Sequence, residues 1–119
     1  MPANRDRNHP PVVKLILNET NCVWLLSEID PDYPNIAYGL CDWGDNFPKL
    51  EFVDLNELRE LRSPISGYNL QRAAFFEGKY PLSVYATAAR ICDRITEKEA
   101  LLKKCYAQEL LSKKNRPQP

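Results

Sequence analysis

At 119 residues the chain is long enough for one domain that buries roughly two-thirds of its unfolded surface. Its composition, 44% hydrophobic and 27% charged, excludes a disordered chain, and no apolar run approaches the ~20 residues of a membrane-spanning helix. The formal net charge of zero conceals +2 over residues 1–18, −8 over 19–60 and +6 over 61–119, which fits either two halves that attract each other within one fold or two faces shown to different partners.

Residues 1–11 are polar, contain three prolines and predict a flexible N-terminal arm, with too few arginines for a nucleic-acid arm. They hold no apolar run, so no signal peptide is expected. Val12–Asn18 (VVKLILN) and Cys22–Ile29 (CVWLLSEI) flank the polar turn Glu19-Thr20-Asn21 and predict a β-hairpin. Val13, Leu15 and Leu17 alternate onto one face and Val12, Lys14 and Ile16 onto the other; Val23, Leu25 and Ile29 oppose Trp24 and Leu26. Both faces are largely apolar, as in a central strand pair with helices on at least one side.

Asp30–Asn35 (DPDYPN) is dense in turn formers and predicts a loop. Ile36–Cys41 predicts a third strand, Asp42–Pro48 a loop carrying Trp43 and Phe47, and Leu50–Val53 a short fourth strand. Asp54 is a good N-cap, Glu57 three residues on makes a capping-box-like pair with it, and Val53 with Leu58 forms a hydrophobic staple. Ser63-Pro64 ends this helix. Leu70–Phe76 predicts a fifth strand, and Pro81 opens a second helix with Leu82, Tyr85, Ala89 and Cys92 on one face. Thr96 with Glu99 reads as a second capping box, and the last helix runs to about Lys114 with Leu101, Leu102, Cys105, Tyr106 and Leu110 as its apolar stripe. Residues 115–119 are expected to form a frayed tail. The order ββββαβαα predicts an α+β fold, a mainly antiparallel sheet of four to five strands packed with three helices, in a single domain over 12–114.

Little in this chain points to catalysis. Cys22, Cys41, Cys92 and Cys105 lack Cys-x-x-Cys spacing and His9 is the sole histidine, so neither a zinc site nor any other metal or cofactor is expected. The cysteines sit among apolar residues, which suits buried reduced thiols in a cytoplasmic protein. Asp30-x-Asp32 lacks the glycine and distant glutamate of a calcium loop, and turn formation and capping account for most acids near it. No serine or cysteine has a histidine beside it in sequence, and Gly39, Gly44, Gly67 and Gly78 are isolated, so no catalytic residue and no phosphate-cradling loop are assigned.

Two binding surfaces remain. Tyr33, Tyr38, Asp42, Trp43, Asp45 and Phe47 gather aromatics and acids in and beside two loops, as protein-interface anchors do. The competing reading has Trp43 and Phe47 capping the core. Arg90, Arg94, Lys98, Lys103 and Lys104 concentrate positive charge in the last two helices, as a phosphate-contacting stripe would. Asp93, Glu97, Glu99 and Glu109 dilute that stripe, and the i,i+4 spacing of Glu99 with Lys103 suits ordinary helix pairing.

Trp24-Leu25-Leu26, Glu28, Tyr38-Gly39-Leu40-Cys41-Asp42, Phe47-Pro48-Lys49-Leu50-Glu51 and the Glu-Leu repeat of the first helix are followed by Arg72, Phe76, Pro81-Leu82-Ser83, Tyr85-Ala86, Ala89-Arg90 and Ile95. This run, over about residues 12–95, resembles a bacterial family known as domain of unknown function 2958. The resemblance implies a small protein encoded on a plasmid, prophage or integrative element. One departure stands out: Gln71 and Ala73 occupy places where the family pattern usually has acids on both sides of the arginine, here Arg72. Chemistry that needed those acids would be lost, whereas a role resting on Arg72 or on shape would survive. The expected function is that of a non-enzymatic accessory protein of such an element, acting through contacts with a host or element-encoded protein, with inhibition of a host defence system as one such role. The alternative is a nucleic-acid-binding accessory factor using the basic C-terminal helices, and the third is a divergent enzyme of unknown chemistry. No membrane partner is expected; oligomeric state, and whether the acidic and basic halves pair within one chain or between chains, stay open at this level.

Overall fold

A computed structural model describes residues 7–114. Alternating apolar residues build five strands, β1 (Val13–Ile16), β2 (Cys22–Ile29), β3 (Ile36–Trp43), β4 (Lys49–Asp54) and β5 (Gln71–Arg72), ordered β4-β3-β2-β1-β5 in one antiparallel sheet. Three helices follow the predicted order, α1 (Leu55–Arg59), α2 (Leu82–Cys92) and α3 (Glu99–Lys114). The fold is α+β, as the spacing predicts.

The central pair β2–β3 carries the core on both faces. Leu25 lies opposite Leu40, and both pack under Leu82, Val84, Tyr85 and Ala89 of α2 and Leu102 of α3. On the other face Trp24 lies opposite Cys41 and packs with Leu26, Ala37, Val53 and Leu58 of α1. Trp24, Leu25 and Leu40 are wholly buried, each worth about 1.5–3 kcal/mol or more of apolar burial. The two faces are covered unequally: two long helices lie on one, while a five-residue helix and the segment 61–70 lie on the other. A bulge between Leu26 and Glu28 brings β2 so close to β3 that a Cβ at Gly39 would sit 2.1 Å from the Leu25 carbonyl oxygen, which restricts that position to glycine.

The start of α1 follows the local signal. Asp54 accepts from the Asn56 N–H at 2.8 Å, and the staple residues Val53 and Leu58 are buried in one cluster. The helix ends at Arg59, earlier than Ser63-Pro64 would require, because i→i−3 bonds from Glu60 to Glu57 and from Leu61 to Leu58 tighten its last turn.

The third strand runs two residues past Cys41, through Trp43, and three larger expectations change. The predicted arm 1–11 divides: residues 1–6 lie outside the described residues, and 7–11 lie against α2. Asn8 accepts from the Ser83 N–H at 2.7 Å and donates to Ser83 Oγ at 2.8 Å, while the Leu82 N–H donates to the His9 carbonyl at 3.2 Å. Pro81 gives α2 no side-chain cap, so Asn8 supplies one from the other end of the chain. A Cβ at Gly78 would lie 2.0 Å from the Pro11 carbonyl oxygen, so glycine is what lets this segment close.

The second change concerns the fifth strand, which pairs with β1 only at Gln71 and Arg72; after the Ala73 N–H bonds Lys14 the chain turns away, leaving Phe75 99% exposed. The third is the Thr96–Glu99 box, which does not form. Thr96 Oγ1 accepts from the Lys98 N–H at 3.2 Å, and Glu99 accepts instead from the Tyr80 hydroxyl. The tail 115–119 lies outside the described residues.

Candidate functional site

Asp42, next to last in β3, has its side chain turned inward, 2% exposed. One carboxylate oxygen accepts from the Gly44 N–H at 2.9 Å and the other from the Ile95 N–H at 3.1 Å, so a single side chain ties the β3–β4 turn to the segment joining α2 and α3. Past it the backbone takes left-handed conformations at Gly44 (φ +79°) and Asn46 (φ 66°), and Asp45 accepts from the Phe47 N–H at 3.1 Å. Side-chain oxygens bonding the backbone two residues on are the turn chemistry expected of Asp. The turn is thereby fixed on both sides, with Phe47 at its tip and 74% exposed.

Trp43 has a different part. Its ring meets Trp24 edge-on at 5.2 Å and 87°, and its indole N–H donates to Glu51 at 2.7 Å. At 39% exposure it lies over the core as much as it faces solvent. Beside Phe47 a hollow of 380 Å³ is lined by Asn46, Phe47, Pro48, Lys49, Arg90 and Asp93. The structure therefore brings Trp43, Asp45 and Phe47 together, with Asp42 beneath them. It keeps the other two aromatics apart: Tyr33 lies in the loop before β3, about 25 Å of strand away from Trp43. Tyr38 sits mid-strand with its ring 4.8 Å from that of Phe52.

The basic candidates Arg90, Arg94, Lys98, Lys103 and Lys104 are all exposed. Among the described residues none of them forms an ion pair. The pairing of Glu99 with Lys103 is absent because Glu99 faces Tyr80 and lies 4.0 Å from Lys79. That contact, together with burial, pushes the Tyr80 hydroxyl up to about 12, because a phenol that donates to a carboxylate resists losing its proton. Glu97 is held by Lys14 of β1. Arg90 stands apart from the α3 lysines, at the Phe47 hollow.

Among the described residues all four cysteines are free thiols, and no group of three or more His, Cys, Asp or Glu side chains is placed to hold a metal ion. Burial first, then Glu51, pushes the Cys41 thiol up to about 12, and burial raises that of Cys105, which keeps both in the unreactive protonated form. No described helix is long and apolar enough to cross a membrane.

Sequence reasoning missed two features. Arg90 and Asp93 stand beside Phe47, although more than forty positions separate them in the chain. On the thinly covered face of the sheet, a trough of 470 Å³ runs between β1, β2 and α1, with Arg59 and Arg72 beside it. Val13, Leu15 and Leu26 look like ordinary core residues in sequence, and nothing local announces that a helix fails to cover them.

No curated protein and no solved structure matches this chain. The model of the family described as protein of unknown function (DUF2958) matches residues 2–96, taking in the segment 7–11, the whole sheet, α1, α2 and the turn that carries Phe47, and ending before α3. By that match, which spans most of its length, the chain belongs to the DUF2958 family.

Proposed function

We propose that this protein is a non-enzymatic accessory protein of a plasmid, prophage or integrative element, working in the cytoplasm, and that it binds a host or element-encoded protein through the β3–β4 turn. Inhibition of a host defence protein is the role that best suits such an accessory. The observation that carries the reading is Phe47, an aromatic ring 74% exposed on a turn already fixed by Asp42 and Asp45. An anchor held in place before binding loses little freedom when it docks. An exposed aromatic beside an arginine, here Arg90, also has the composition of an interface hot spot. Capping of the core accounts for Trp43 but not for Phe47. The test is a quantitative pull-down with wild type and Phe47→Ala. Captured partner should fall by roughly tenfold or more, with the melting temperature nearly unchanged, since the side chain is 74% exposed. Full retention of every partner by a folded Phe47→Ala variant refutes the reading. Trp43→Ala is the poorer probe, because it also removes the contact with Trp24.

A second reading, binding of nucleic acid by α2 and α3, is favoured by the lack of ion pairs at Lys98, Lys103 and Lys104 among the described residues. It predicts a mobility shift on DNA or RNA that weakens steeply with salt and is abolished by Lys103→Glu with Lys104→Glu. No shift at low salt ends it.

A further inference from the structure

We propose that the trough on the thin face of the sheet is a binding site for a small amphiphilic organic anion, a compact apolar body ending in a carboxylate or phosphate. Its floor and wall are Val13, Leu15, Leu26, Ala37 and Leu55, and its volume of 470 Å³ lies within the range of small-molecule sites. Val12 and Ile29, 63% and 55% exposed, border it and extend the apolar surface outward.

The charge beside this floor is positive. Arg72 lies opposite Leu15 in the β1–β5 ladder, so its side chain leaves the sheet on the trough's side. Arg59 reaches the same trough from the end of α1, with one guanidinium nitrogen donating to Asn56 at 2.7 Å. Among the described residues neither arginine has a carboxylate partner, whereas Arg7, Lys14 and Lys79 pair with Glu28, Glu97 and Glu99. Glu28 also borders the trough, but it lies opposite Tyr38 in the ladder. Its carboxylate is on the α2 side, 3.9 Å from Arg7 Nε and 3.6 Å from His9 Nε2. Two guanidiniums without acids over an apolar floor match the two parts of an amphiphilic oxyanion. The planar fork accepts a carboxylate or phosphate through paired hydrogen bonds, and the floor accepts the tail.

The experiment is an amide-resonance titration of the full chain with octanoate, octyl phosphate and octanol. Saturable shifts at Leu15, Leu26, Ala37 and Leu55 are expected with an anion, and whichever anion binds tighter identifies the head group. Octanol should bind at least roughly tenfold more weakly, and Arg59→Gln with Arg72→Gln should weaken the anion by roughly tenfold or more while leaving octanol and the melting temperature unchanged. Equal binding of octanol and the anions, undiminished binding by the double variant, or no saturable shift overturns the proposal. So do contacts in the free protein showing that residues 1–6, residues 115–119 or a second copy already fill the trough. Phe47→Ala should leave these titrations unaltered, so the outcome stands apart from that of the pull-down.

Discussion

At Asp42 the kind of position is legible in the sequence and the partners that bury it are not. Its neighbours mark the end of a strand and the start of a turn, and an acid there suits either turn formation or an exposed contact. Its burial depends on Ile95, 53 residues away, whose N–H it accepts, and no local spacing encodes that partner. Replacing Asp42 by Ala strands two backbone donors and should cost about 2–3 kcal/mol in urea unfolding. Asn, which keeps one acceptor, should cost less. Equal stability of wild type and Asp42→Ala would show that water replaces the carboxylate at no loss. Phe47 is the opposite case. Its place in a turn was legible, but its exposure depends on how far the fixed turn stands off the sheet, which is a property of the fold.

Among the elements, those that close on local partners were the legible ones. The Asp54 cap and the Val53–Leu58 staple lie within six residues, and α1 begins where they place it. Distant groups take part in the other two helix starts. Asn8 caps α2, and Tyr80 draws Glu99 away from the box with Thr96. A carboxylate offered both a backbone N–H nearby and a phenol from a packed neighbour took the phenol. This has a consequence for pH. The Tyr80 hydroxyl is raised from its ordinary 10 to about 12, first by the hydrogen bond to Glu99. The protonated phenol therefore contributes stability that is complete below pH 10 and is lost as the pH rises towards 12. Stability measured across that window should fall more steeply in wild type than in Tyr80→Phe. Parallel curves would mean that the contact adds nothing in solution.

For the whole molecule, period-two alternation in four strands and two helical stripes was enough to predict an antiparallel α+β fold. It could not say which face of the sheet each helix would cover. With α2 and α3 on the same side, the apolar residues of β1 and β2 on the other side depend on the short α1, and the trough by Arg59 and Arg72 is what remains uncovered. The charge asymmetry is not matched by ion-pair contacts between the described parts of the two halves. Among the described residues no ion pair joins an acid of 19–60 to a base of 61–114; the pairs are Arg7 and His9 with Glu28, Lys14 with Glu97 and Lys79 with Glu99. Any attraction between the two halves acts through space rather than through contact, which leaves the basic side chains of α2 and α3 available to a partner.

The bond between Asn8 and Ser83 also bears on how the molecule is made. A ribosome delivers the chain from its N-terminus, so Asn8 emerges 75 residues before Ser83, the residue of α2 that it caps. Throughout that interval the segment 7–11 has only earlier partners to meet, Glu28 of β2 for Arg7 and His9, and α2, once released, lacks its cap until Asn8 returns to it. Any nascent chain still short of Ser83 therefore carries the Asn8 cap unused, and the start of α2 is completed only by a return to a segment made long before it.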